Sequence, residues 1–212
     1  MPVPDTLKVC ELFASFQGEG CRYGISSIFL RLSGCHIGCP YCDTPESWGP
    51  GGERVALDDL MGRIGLLRAD RPKAQLVITG GEPLEQDLGL LVERARDTGL
   101  FVAIETSGLL FQDLPVDWWA VAPKKHRDHH IHEALLPRVN EIKVVVQDKL
   151  GLEDIFQLRQ RLPEVPIFLQ PDVYNQGQQA YAQVLNLADQ ADRAGIPAVR
   201  VGMQLHRIYG AP

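Results

Sequence analysis

The chain has 212 residues, 45% of them hydrophobic, which is enough to bury one well-packed core and too little for two domains of ordinary size; one domain over residues 1–212 is expected. Acidic residues outnumber basic ones 27 to 21 and the formal net charge is -6, so no basic field exists to gather nucleic acid or an anionic membrane, and a small-molecule substrate is favoured. Met1-Pro2-Val3-Pro4-Asp5 has neither the basic start nor the apolar run of a secretion signal, no later stretch is apolar for long enough to cross a bilayer, and five cysteines, three of them clustered, suit a reducing compartment; a cytoplasmic protein is expected.

Leu7 to Phe13 reads as a strand that runs into Phe16-Gln17-Gly18-Glu19-Gly20, where two glycines around Glu19 permit a tight turn with exposed amides. Such a turn can wrap a ligand or close any hairpin. Ser27 to Leu32 is the next strand, apolar except for Arg31, whose planar fork either meets solvent or suits a carboxylate. Then comes Cys35-His36-Ile37-Gly38-Cys39-Pro40-Tyr41-Cys42-Asp43-Thr44. Three thiols spaced Cys-x-x-x-Cys-x-x-Cys after an apolar strand can converge on one point. Structural zinc normally takes four protein ligands and an electron-transfer cluster four cysteines, whereas a four-iron cubane held by three leaves one iron open to a substrate or cofactor. A zinc knuckle closed by His36 or a residue farther off is the alternative. Cys10 reads as a buried thiol and Cys21, in a glycine-flanked loop, has no assigned role.

Trp48 to Glu53 is glycine-rich and reads as a mobile loop. A helix over 57–68 aligns Leu57, Leu60, Met61, Ile64 and Leu67, and Pro72 marks its end. Leu76 to Ile78 is a buried strand delivering Thr79-Gly80-Gly81-Glu82-Pro83, where two residues without side chains let the backbone approach a ligand and Glu82 or main-chain carbonyls can receive an ammonium. A helix over 84–97 follows, then strands over 101–105, 118–122 and 141–146, a helix over 152–162, a strand over 167–170, a helix over 178–194 and a strand over 198–201. Trp118 and Trp119 read as core or subunit packing. Apolar strands alternating with helices predict an α/β fold with a largely parallel sheet, and the length is short for a full eight-fold barrel. An incomplete, open TIM-like barrel with a reduced set of helices is expected. Ligands of such folds bind at the carboxyl ends of the strands, so the cysteine loop and the segments 79–83, 105–107, 123–124 and 170–172 should share one rim.

The cysteine spacing, with an aromatic residue just before the last thiol, resembles the radical S-adenosylmethionine superfamily, as does Gly80-Gly81-Glu82-Pro83 one strand later. The resemblance implies a 4Fe-4S cluster on Cys35, Cys39 and Cys42 whose open iron chelates S-adenosylmethionine, which an electron cleaves to a 5'-deoxyadenosyl radical. Cys42-Asp43-Thr44, taken with Gln17-Gly18-Glu19-Gly20, Arg31, Thr79, Ile104-Glu105-Thr106, Asn140-Glu141-Ile142-Lys143, Gln170-Pro171, Gln204 and His206, is similar to the 7-carboxy-7-deazaguanine synthase family along most of the chain.

That likeness implies a lyase of the queuosine-precursor route that contracts the pyrazine ring of 6-carboxy-5,6,7,8-tetrahydropterin, with loss of ammonia. Hydrogen is taken from the carbon bearing the carboxylate and later returned, so S-adenosylmethionine acts as a regenerated cofactor. Magnesium on Thr44 would bind the substrate carboxylate. Carried over, Phe16, Gln17, Gly18, Glu19, Arg31, Thr79, Glu105, His206 and the terminal carboxylate of Pro212 would contact the pterin. Tyr41, Gly81, Ala122, Pro123, Lys124, Gln170, Pro171, Asp172 and Val173 would contact S-adenosylmethionine, Tyr41 near the adenine. A homodimer and an electron donor such as a flavodoxin come with the family.

Relatives often have Ser-Pro-Lys where this chain has Ala122-Pro123-Lys124, which leaves only backbone or Lys124 contacts there. The segment 124–132, with four histidines, reads as a solvated basic loop or, alternatively, a second metal site. Two other functions fit the motif: a small radical activase acting on a glycine of a partner protein, and a zinc-binding interaction module.

Overall fold

Strand residues alternate between two faces, and here the two faces have opposite chemistry. The computed structural model describes residues 5–49, 51–147 and 150–210, the side chains of Tyr174 and His206 excepted. In chain order its elements are β1 (Thr6–Phe16), β2 (Ser26–Leu32), β3 (Glu53–Ala56), α1 (Leu57–Asp70), β4 (Gln75–Gly80), α2 (Gly89–Asp97), β5 (Val102–Thr106), β6 (Trp118–Val121), β7 (Glu141–Val146), α3 (Leu152–Arg161), β8 (Ile167–Pro171), α4 (Val173–Gln176), α5 (Gln179–Arg193), β9 (Val199–Val201) and α6 (Leu205–Tyr209). The strands form one sheet in the order β3-β1-β2-β4-β5-β6-β7-β8-β9. From β2 through β4 to β9 every neighbouring pair is parallel, while β1 runs antiparallel to both β2 and β3. The order begins at β3 and ends at β9, which is the expected open, partial barrel.

The outer face is apolar. Ile28, Leu30, Leu76, Ile78, Val102, Ile104, Ile142, Val144, Ile167 and Leu169 are buried, and α1, α2, α3 and α5 cover them with Leu60, Ile64, Leu91, Val92, Ile155, Leu158, Val184 and Leu187. The residues in between point inward: Arg31 on β2, Thr79 on β4, Glu105 on β5, Lys143 and Val145 on β7, and Gln170 on β8 line one cavity. The amino end of the barrel is stoppered by the β1–β2 connection. There Arg22 stacks 3.8 Å from the Phe101 ring centroid and 5.4 Å from that of Trp118, and the Cys21 amide donates to buried Glu141 at 2.5 Å. Trp119 is core and Trp118 partners Arg22.

Two expectations change. The glycine-rich loop ends in β3, whose four residues pair with Thr6 to Val9 of β1; with Val55 its one buried residue, it carries no periodic signal. The helix expected over 84–97 begins instead at Gly89, after a 3-10 turn at Pro83–Glu85. The Gln86 side chain accepts from Lys8 N at 2.8 Å and donates to the carbonyls of Lys8 and Ser33, both at 3.0 Å, which holds this stretch extended, and Asp87 then accepts from Gly89 N. No helix among the described residues is long and apolar enough to cross a membrane.

Candidate active site

The carboxyl ends of the parallel strands open into a cavity of about 390 Å³, a size suited to a small molecule. One wall is the cysteine loop. Gly34 N donates to Ser47 O at 2.8 Å, Cys35 N to Trp48 O at 3.2 Å and Cys42 N to Cys39 O at 3.1 Å, while Ile37, Cys39 and Tyr41 bury together, apart from the main core. The end of β4 is bonded to this loop, Gly81 N to Leu32 O at 3.0 Å and Glu82 N to Gly34 O at 2.9 Å. That approach requires glycine: a Cβ on residue 81 would strike Gly34 O and stand 2.7 Å from Cys35 Cβ.

Cys35, Cys39 and Cys42 all line the cavity as free thiols. Burial raises the thiols of Cys35 and Cys39 above their ordinary value, Lys124 and Arg127 partly offsetting the effect at Cys39. Cys35 and Cys42 pack against the small cluster that holds Cys39. Among the described residues no three His, Cys, Asp or Glu side chains are grouped to hold a single metal ion. In an iron-sulfur cluster each cysteine sulfur meets a different iron. Beside them Thr44 Oγ1 donates to Asp43 Oδ1 at 3.0 Å, two hard oxygens of the kind magnesium accepts.

Glu82 departs from its expected role. It is 2% exposed, and its carboxylate accepts from Leu84 N at 3.2 Å, Thr106 Oγ1 at 2.6 Å, Ser107 N at 2.9 Å and Ser107 Oγ at 2.6 Å. Its acceptor sites are thus occupied by the tip of β5, and it braces the site rather than receiving an ammonium. An ammonium here must rely on main-chain carbonyls.

On the cofactor side, Tyr41, Gly81, Ala122, Lys124, Gln170, Pro171, Asp172 and Val173 line the cavity. Both amide atoms of Gln170 are buried without a hydrogen-bond partner among the described residues, so a polar ligand is the natural partner. Asp172 is turned to its own helix, accepting from Asn175 N at 3.3 Å and Asn175 Nδ2 at 2.9 Å. Pro123 is not among the lining residues.

Deeper in the barrel, Phe16, Gln17, Gly18, Glu19, Arg31, Thr79 and Glu105 line the cavity as expected, joined by Lys143 and Gln204. Lys143 Nζ lies 2.7 Å from Glu105 Oε1 and 3.1 Å from Glu19 Oε2. Gln17 Nε2 donates to Glu105 Oε1 at 3.0 Å and Gln204 Nε2 to Glu19 Oε1 at 3.2 Å. Burial alone would raise the Glu105 pKa, but the Lys143 ammonium, its hydrogen bond, that of Gln17 and the Arg31 charge reverse this and hold the carboxyl below its ordinary value. Burial likewise opposes the Lys143 charge, and Glu105, Glu19 and Glu141 outweigh it, so its pKa is raised. Arg31 is paired with Glu11. Leu205 N donates to Gly18 O at 3.0 Å, so α6 is tied to the turn that carries Glu19.

Lys143 and Gln204 were not singled out as site residues from the sequence; Lys143 was findable, since it alternates with Glu141 and Val145 in an apolar run. Pro212 lies outside the described residues, as does the His206 side chain. The histidines of 124–132 serve separate ends, and the loop is not simply solvated. His126 meets Tyr41 edge-on at 6.0 Å, His129 is buried with Nε2 3.5 Å from Asp154 Oδ1, and His132 stacks on Phe111 at 5.5 Å.

Residues 30–133 match the Radical SAM superfamily. The chain is 34% identical over 173 residues to the 7-carboxy-7-deazaguanine synthase of Rickettsia prowazekii, covering 77% of this chain and 72% of the relative. It is 28% identical over 204 residues to that of Haemophilus influenzae, covering 95% and 92%. Among solved structures, QueE from Escherichia coli matches with a TM-score of 0.75 and 29% identity over 95% of both chains. Streptococcus suis SuiB, solved with the precursor peptide SuiA, matches with a TM-score of 0.55 over 83% of this chain and 48% of that one; at 13% identity the likeness is one of fold alone.

Proposed function

Since the chain belongs to the 7-carboxy-7-deazaguanine synthase family of the radical S-adenosylmethionine superfamily, we propose that it is a lyase converting 6-carboxy-5,6,7,8-tetrahydropterin to 7-carboxy-7-deazaguanine. The observation that carries this reading is one cavity with a thiol wall at its mouth and two carboxylates flanking a lysine at its floor. Substrate and product differ by ammonia alone, so the conversion is redox-neutral and a regenerated hydrogen carrier suffices.

When bound, the 4Fe-4S cluster and S-adenosylmethionine supply one-electron, hydrogen-abstracting chemistry. The chain's own residues position the reactants. Cys35, Cys39 and Cys42 hold the cluster, and Gly81 lets the backbone close on the methionyl end while Glu82 braces that segment. Tyr41, Ala122, Lys124, Gln170, Pro171, Asp172 and Val173 flank the remainder of S-adenosylmethionine, with the Gln170 amide open to hydrogen-bond it.

Glu19 and Glu105 accept hydrogen bonds from the pterin ring, Gln17, Gly18, Thr79 and Phe16 frame it, and Arg31 takes its carboxylate. Thr44, with Asp43 beside it, would hold a magnesium ion, which would supply Lewis-acid charge for that carboxylate. His206 as a pterin contact rests on the family likeness. A single domain over 1–212, a cytoplasmic homodimer and a flavodoxin-like electron donor complete the reading.

Anaerobic reconstitution should give a brown protein with about four irons per chain. Reduced and supplied with the carboxytetrahydropterin, S-adenosylmethionine and magnesium, it should form the deazaguanine acid and ammonia. A colourless protein holding one zinc would overturn the whole reading, and 5'-deoxyadenosine accumulating without deazaguanine would overturn the substrate.

A further inference from the structure

We propose that Lys143 is a positioning residue, whose ammonium fixes Glu19 and Glu105 as two carboxylate acceptors for the N–H-rich edge of the substrate's 2-aminopyrimidinone ring; this rests on the pterin reading above. Its side chain is 7% exposed and bridges the two acids at 3.1 and 2.7 Å. The acids come from distant parts of the chain, Glu19 from the β1–β2 turn and Glu105 from β5, and Lys143 is the cation between them. Neutral donors complete each one: Gln204 on Glu19, and Gln17 with Thr79 Oγ1, the latter at a long 3.4 Å, on Glu105. The other charges facing the group are Arg31, engaged by Glu11, and Glu141 one inward position below Lys143.

Acceptor chemistry is what the ring edge needs, because its amine and ring nitrogens present donors. With the cation between them removed, two partly buried acids facing one site would take up a proton more readily, and a protonated carboxyl presents a donor where the ring also presents one. Lys143 therefore sets recognition through the two acids it holds.

The test is steady-state turnover of the carboxytetrahydropterin by the reconstituted holoenzyme from pH 6 to 9. Wild type should show a KM for the pterin that is flat with pH. Lys143→Met should raise that KM by about ten- to hundredfold at the acid end, falling as pH rises and the shared proton leaves. Lys143→Gln, which still donates a hydrogen bond, should give the same pH signature should the methionine variant not fold. Lys143→Arg restores a cation and should restore the flat profile. A pterin KM in both neutral variants that is unchanged, or raised without pH dependence, overturns the inference while leaving the function intact. Failure of wild type to convert the pterin overturns both.

Discussion

The two ends of the cavity are held in different ways. At the floor, Glu19, Glu105 and Lys143 satisfy one another through charged contacts, and Gln17 and Gln204 complete them. At the mouth, the cysteine loop is held by backbone bonds and by a small apolar cluster apart from the main core, while the Gln170 amide finds no hydrogen-bond partner among the described residues. The floor is preorganised by the chain, so it can read a substrate at little ordering cost. The mouth is shaped for groups that bring their own bonds, and the protein's contribution there is shape and exclusion of competing reactions.

The largest effect should come from the brace behind the mouth, Glu82. Glu82→Ala leaves four buried donors on Leu84, Thr106 and Ser107 without their acceptor, and should cost about 3–5 kcal/mol of stability in denaturant titration. Glu82→Gln keeps the size and one acceptor oxygen, and should recover roughly half of that loss. If both variants unfold like wild type, the carboxylate is free for a ligand and the brace assignment fails.

Next in size is Gly81→Ala, which separates the two ends. The added Cβ drives β4 away from Gly34 and Cys35, so cleavage of S-adenosylmethionine should fall by about 100-fold with iron content retained. The KM for the pterin should stay within about threefold, because the floor network makes no bond to residue 81. A pterin KM that moves with the cleavage rate would show the two ends to be one unit.

The same division governed what the sequence disclosed. The mouth was legible because ligands to a shared group fall close together in one loop, and the fold was legible because β4, β5 and β7 are apolar runs and the amphipathic helices α2, α3 and α5 separate β4 from β5, β7 from β8 and β8 from β9. The floor was legible only in part: likeness pointed to Glu19 and Glu105 but not to Lys143 and Gln204, since the four are scattered over the chain, on strands β5 and β7 and in the connections before β2 and after β9, and only the fold brings them together. Glu82 was misread because a carboxylate beside a ligand-binding turn looks the same whether it faces the ligand or the next strand. Short elements such as β3 were missed because four residues hold too few periods to signal anything.

The smallest effect sharpens the comparison at the mouth, where the segment carrying His126 also carries His129. Burial lowers the His129 pKa below its ordinary 6.5, with Asp154 and the Pro123 backbone offsetting part of the effect. Between that lowered value and 6.5 the unfolded chain binds a proton that the folded one refuses. The contribution to stability is therefore complete above pH 6.5 and is lost as pH falls through the folded value. Around the ring, Lys125 pairs with Asp154, Arg161 donates to the His129 carbonyl at 3.1 Å, and Asp154 is held below its ordinary 3.8 despite burial, which keeps that carboxyl out of the same window. His129→Gln should remove the acid sensitivity: wild type should lose about 1–2 °C more in Tm than the variant between pH 7 and 5.5. Because His126 rests on Tyr41, the same acid step should loosen the cysteine loop before it reaches the floor, and pterin KM should hold over a range where S-adenosylmethionine cleavage already declines. Equal acid sensitivity of Tm in wild type and His129→Gln would place the titrating group elsewhere.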